Sequence, residues 1–130
     1  MDGLQPLIAI VDDEECVRKA LERLLRAAGI ATETYPSGEA FLQAMESRVA
    51  DCVLLDLHMP GLSGFDVLAA TGKANNRLPV IVLTGQDTPA SRRQALEGGA
   101  CFYLTKPVDE PELLAAIEQV LPGAAFLGRP

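Results

Sequence analysis

The chain has 130 residues, 48% of them hydrophobic, which is enough for one ordinary core and too little for two. Eighteen acids against eleven bases leave a net charge of −7, which argues against a nucleic-acid-binding surface, since that needs clustered Lys and Arg. No apolar run reaches the roughly 18 residues of a membrane span, and Asp2, Gly3 and Pro6 give neither a basic start nor an apolar signal segment, so a soluble cytoplasmic protein is expected.

Apolar runs alternate with amphipathic stretches five times, the pattern of βα units around a parallel sheet. The first run, Leu7 to Val11, ends in Asp12-Asp13-Glu14-Glu15. Four consecutive acids repel unless some start a helix or bind a cation. The helix that follows carries Val17, Ala20, Leu21, Leu24, Leu25 and Ala28 on one stripe and is stopped by Gly29. A second, shorter strand spans Ala31 to Tyr35, and Pro36-Ser37 opens a helix with Ala40, Phe41, Ala44 and Met45 inward.

The third run, Cys52 to Leu55, is apolar on both faces and therefore central, with Asp56 just past it. Met59-Pro60-Gly61 forces a loop. Ser63 with Asp66 then forms a capping box on a helix that runs to Lys73 or Ala74. Pro79 to Thr84 is the fourth strand, ended by Gly85. The fourth helix, within Asp87 to Gly99, started near Asp87 or Thr88 and with Pro89 in its first turn, has chiefly Ala90, Ala95 and Leu96 to bury and leaves Arg92-Arg93 exposed. Its thin stripe makes it the expected movable element.

The fifth strand, Cys101 to Leu104, leads through Lys106-Pro107 to a helix capped by Asp109 and Glu112, with Leu113, Leu114, Ile117, Val120 and Leu121 buried. One domain over residues 1–122 is expected, with 123–130 as a tail or the start of a linker to an output domain. The three cysteines, Cys16, Cys52 and Cys101, indicate no disulfide or zinc site, and the last two suit buried thiols.

In an open parallel sheet, ligands bind beyond the carboxyl ends of the strands. Asp12, Asp13, Asp56, Thr84 and Lys106 all fall there, so one pocket can hold them. Carboxylates facing a lysine form a site for a divalent cation and a phosphoryl group. Singly, each has an ordinary reading as a helix cap, turn residue or surface charge, whereas their conjunction at the strand ends points to a site.

With its acidic pair Asp12-Asp13, the segment Asp56-Leu57-His58-Met59-Pro60-Gly61, Gly64, Thr84-Gly85 and Lys106-Pro107, the chain resembles a response regulator receiver domain of bacterial two-component systems over about residues 7 to 121. The segment Tyr35 to Leu42 resembles receivers of the nitrogen-fixation regulator type, which are joined to helix-turn-helix outputs. The resemblance implies a flavodoxin-like doubly wound (βα)5 fold with strand order 2-1-3-4-5. It implies that Asp56 takes a phosphoryl group from the phosphohistidine of a sensor histidine kinase. Mg2+, or Mn2+ in its place, would be held by Asp13, Asp12, Asp56 and the His58 backbone carbonyl.

The same resemblance makes Thr84 and Lys106 contacts to the phosphoryl oxygens and Lys106-Pro107 a cis peptide. Tyr103 becomes the switch aromatic that turns inward with Thr84, and His58 and Gln86 border the path of the hydrolytic water. The expected output is a change in the surface of the fourth helix, fifth strand and fifth helix, which controls a homodimer or a DNA-binding output domain. A stand-alone receiver acting by protein contact is the alternative. A flavodoxin-type electron carrier is disfavoured because the four acids would repel a flavin phosphate. An aspartyl phosphatase would want a second Asp where His58 stands, and a pseudo-receiver would lack one of the key positions.

Overall fold

The computed structural model describes residues 6–46, 50–73 and 78–121; the expected tail over 123–130, the residues at 1–5 and Ala74 as a helix end lie outside them. In chain order the elements are β1 (Leu7–Val11), α1 (Glu15–Ala27), β2 (Ala31–Tyr35), α2 (Gly38–Ala44), β3 (Cys52–Asp56), α3 (Gly64–Lys73), β4 (Val80–Thr84), α4 (Pro89–Glu97), β5 (Phe102–Thr105) and α5 (Glu110–Val120). The strands form one sheet in the order β2-β1-β3-β4-β5, every neighbouring pair parallel.

Strand alternation sorts the core into two layers. Ile8, Ile10, Cys52, Leu54, Ile81, Leu83 and Leu104 face Leu21 and Leu25 of α1 and Leu113, Ala116 and Ile117 of α5. Ala9, Val11, Val53, Leu55, Val80, Val82 and Tyr103 face Phe41 of α2, Val67 and Leu68 of α3 and Ala95 of α4. All residues of β3 and β4 are buried, which follows from cover on both faces. Each fully buried Ile, Leu or Phe contributes about 1.5–3 kcal/mol relative to exposure, so the two layers clamp the strand ends that carry the acids.

The caps are largely those read from the sequence. Ser37, Thr88 and Asp109 accept N–H groups from the first turns of α2, α4 and α5, and Ser63 and Asp66 bond reciprocally ahead of α3. At Asp109 only half of the expected box forms: its carboxylate accepts the Glu112 N–H at 3.3 Å, and no return bond from Glu112 is made. Gly29 and Gly99 take φ of 83° and 110°, the left-handed turn that ends α1 and α4. Among the described residues, no helix is long and apolar enough to cross a membrane.

Four expectations about burial are corrected. Cys101 is exposed because β5 begins one residue later, at Phe102, whereas Cys52 is sealed and burial pushes its thiol up to about 12. Ala90 and Leu96 of α4 face solvent, Leu96 at 45% exposure, leaving Ala95 as that helix's one buried residue. Ala20 lies at the outer edge of the α1 stripe, exposed. In α5 the small Ala116 joins Leu113 and Ile117 in contact with the sheet, and Leu114, Val120 and Leu121 are only partly buried.

Candidate functional site

Strand phase brings three charged side chains to one corner. Asp12 continues the phase of Ile8 and Ile10, Asp56 that of Cys52 and Leu54, and Lys106 that of Leu104, and the ladder is prolonged past the strands by Asp12 N–H to Tyr35 O (3.1 Å) and Lys106 N–H to Thr84 O (2.8 Å). Asp12 is 2% exposed and tied on every side. Its Oδ1 accepts the Glu14 N–H at 2.9 Å, its Oδ2 accepts from Lys106 Nζ at 2.7 Å, and its carbonyl accepts from Arg18 Nη1 at 2.7 Å. The four-acid run is thereby resolved: Asp12 turns inward, Asp13 stays exposed at the rim, and Glu15 enters the first turn of α1, where the helix dipole favours it.

Asp56 ends β3 at 5% exposure. Its Oδ1 has only long contacts, 3.4 Å from the His58 N–H and 3.5 Å from Lys106 Nζ. Burial pushes its carboxyl up to about 6; the Lys106 charge opposes this, the Asp12 charge adds to it, the His58 N–H opposes and Asp13 adds. For Lys106, burial favours the neutral amine, but the hydrogen bond and charge of Asp12, then Asp56, outweigh it and raise its pKa, so it stays cationic. One oxygen from each of Asp12, Asp13 and Asp56 lies within 4.8 Å of the others. Three hard oxygen donors that close, two of them buried, suit a small divalent cation such as Mg2+.

The loop after β3 owes its path to Gly64. A Cβ there would sit 2.5 Å from Asp56 O and 2.6 Å from Leu57 Cα, and its N–H donates to Leu57 O at 2.9 Å. Only glycine allows so close an approach of helix to loop. Gly61, at φ 75°, reverses the chain next to Glu39.

Thr84 is fully buried, and its Oγ1 accepts the Gln86 N–H at 3.0 Å. The hydroxyl is thus engaged with its own loop. His58 is half-buried with Nδ1 enclosed and without a partner, and Gln86 is exposed beyond Thr84. Lys106-Pro107 is cis.

Tyr103 is already inward, at 7% exposure. Burial, then Asp87, raise its phenol pKa; its Oη nevertheless has no partner in hydrogen-bonding geometry, so Asp87 acts on it through charge rather than a formed bond. Two contacts escaped the sequence reading. Arg18 clamps the Asp12 carbonyl, and Arg92, exposed as expected, also covers the Tyr103 ring with its Cζ 4.6 Å from the centroid. Both contacts are made across elements by long flexible side chains, for which local sequence gives no signal.

Known proteins share this sequence pattern and fold. The model of the response regulator receiver domain matches residues 8–118. The response regulator protein TmoT of Ectopseudomonas mendocina is 33% identical over 121 residues, 93% of this chain and 55% of TmoT. The transcriptional regulatory protein FixJ of Azorhizobium caulinodans is 33% identical over 122 residues, 94% of this chain and 58% of FixJ. The chain thus spans about half the length of these relatives. A response regulator receiver protein from Burkholderia phymatum superposes with a TM-score of 0.81 at 39% identity, covering 91% of this chain and 96% of that one.

Proposed function

The chain belongs to the response regulator receiver domain family, the signalling module of two-component systems, and on that premise we propose that Asp56 is its phosphoacceptor. The observation that carries this reading is the corner itself: a buried carboxylate held only by long contacts, flanked by two more carboxylates and a bonded lysine. Asp56 must be ionised to attack phosphorus, and with its pKa near 6 it is a carboxylate at neutral pH while keeping more basicity than an ordinary Asp. An Asp56 oxygen forms a bond to phosphorus as the phosphorus–nitrogen bond of a kinase phosphohistidine breaks, and the imidazole leaves. Asp12, Asp13, Asp56 and the His58 carbonyl would hold Mg2+, which supplies positive charge against the carboxylate and phosphoryl oxygens.

Lys106 offers its remaining donors to the transferred group. Thr84 can donate its hydroxyl once its loop draws inward. Hydrolysis would reverse the charge: water attacks phosphorus, the bond to Asp56 breaks, and inorganic phosphate leaves. Gln86 would orient that water through its amide and His58 would narrow its access.

Phosphorylation exchanges one negative charge for roughly two and adds acceptor oxygens, so the loop after β4 is pulled toward Asp56. The helix it pulls is α4, whose one buried residue is Ala95. Thr84 would move toward the phosphoryl group while Tyr103 keeps its inward position, reshaping the α4–β5–α5 surface, which then governs a homodimer or an output domain. The lengths of TmoT and FixJ support reading residues 1–122 as the receiver portion of a longer regulator; the proposal adds a cytoplasmic location, a DNA-binding output domain and 123–130 as the start of a linker to it. Intact mass after incubation with acetyl phosphate should show one added phosphoryl group that needs Mg2+ and is lost in Asp56→Asn; addition without Mg2+, or addition to the variant, would refute the assignment. Amide exchange over residues 84–106 should change on phosphorylation if the surface responds.

A further inference from the structure

The ring of Tyr103 is held from outside. Arg92 lies over it, Cζ 4.6 Å from the centroid, and its Nη2 makes a loose ion pair with Asp87 Oδ2 at 3.7 Å. The Arg92 and Asp87 side chains are 49% and 43% exposed, while the residue beneath is 7% exposed. The guanidinium acts as a lid, its face on the ring and its charge in water.

That lid opposes a definite tendency. Tyr103 Oη is enclosed and unpartnered, a state that favours swinging the phenol out to solvent. With Asp87 acting on the hydroxyl by charge alone, the ring's position rests on the sheet-face packing and on Arg92. Both lid residues lie on the segment after Thr84, Asp87 in the loop and Arg92 in α4. Val82 pairs with Tyr103 and Thr84 with Thr105, so Thr84 and Tyr103 share one face of the sheet. The lid therefore joins the segment that must move to the ring that must stay inward.

We propose that Arg92, tethered by Asp87, is a positioning residue for phosphoryl acceptance: it holds Tyr103 inward before any phosphoryl group arrives and so favours the modified state. The inference rests on Asp56 being the acceptor. A cation–π contact at a partly exposed site shifts such an equilibrium about two- to fivefold.

The chain contains no tryptophan and two tyrosines, so Tyr35→Phe leaves Tyr103 as the sole tyrosine emitter. That background change keeps the Tyr35–Phe41 ring contact and removes the Oη bond to Glu33. In it, Arg92→Ala should raise acrylamide quenching of Tyr103 and raise the acetyl phosphate concentration for half-maximal phosphorylation about two- to fivefold, with Arg92→Lys intermediate in both. Because Arg92 is half exposed, these variants should keep the parent's circular dichroism. Quenching that stays at the parent level overturns the lid. Quenching that rises while half-saturation does not overturns the positioning role. A parent that takes up no phosphoryl group on Asp56 instead overturns the function on which the inference rests, and the quenching data alone still judge the lid.

Discussion

Lys106 Nζ lies 2.7 Å from Asp12 Oδ2 and 3.5 Å from Asp56 Oδ1, so the lysine holds Asp12 tightly and Asp56, the proposed acceptor, only loosely. Asp12 is thereby neutralised and fixed, and Asp56 is left with only long contacts. Replacing the lysine should leave two buried carboxylates without their cation. Lys106→Met is expected to lose roughly 2–3 kcal/mol of stability in EDTA and to gain more from Mg2+ than the parent does, as read by urea denaturation with and without the metal. An equal response to Mg2+ in both proteins would show that Lys106 does not compensate these acids.

The raised pKa of Asp56 fixes a pH dependence. The group is an acid lifted from 3.8 to about 6, so between those values the folded state binds more protons than the unfolded one, and stability falls as pH rises from about 4 to 6. Above pH 6 the metal-free protein carries the full cost, roughly 3 kcal/mol. Asp56→Asn should therefore be more stable than the parent at pH 8 in EDTA by up to that amount, with the gap closing toward pH 4. A constant gap across this range would contradict the burial of an ionised Asp56.

Gly64→Ala should test the loop. With backbone 2.5 and 2.6 Å from its new methyl group, the change must displace the segment carrying Asp56 and His58, at about 2–3 kcal/mol, and depress phosphorylation with it. Gly85→Ala has no atom within 4 Å of the added carbon and should melt like the parent. Thermal denaturation of the pair separates local crowding from a general intolerance of the site.

The exposed Gln86 and half-buried His58 are expected to set the lifetime of the modification in opposite directions. Gln86→Ala should lengthen it several-fold by removing the amide that orients water, and His58→Ala should shorten it. Lifetimes equal to the parent's, measured by loss of the phosphorylated mass after donor removal, would leave neither residue with that role.

Much of this was legible in the chain because it depends on near neighbours in sequence. The uninterrupted apolar runs at Cys52–Leu55 and Val80–Leu83 declare central strands, and Ser37, Ser63 and Thr88 announce the helices that they cap. The acids and lysine could be assembled because parallel strands all end on one side of a sheet. Hidden from that logic were choices made in three dimensions. Lys106 prefers Asp12 to Asp56 by less than the length of its own reach, Arg92 turns back over Tyr103, and Cys101 is bared by a one-residue change in where β5 begins. Ala116 was passed over because a small residue gives little apolar signal although it permits close packing of α5 on the sheet.

The most direct test of Asp56 as phosphoacceptor is chemical trapping. Borohydride reduces an aspartyl phosphate to homoserine, so treatment after phosphorylation with acetyl phosphate and Mg2+, followed by peptide sequencing, should place homoserine at position 56 and nowhere else. Homoserine at Asp12 or Asp13, or a phosphorylated protein with Asp56 intact, would contradict the account.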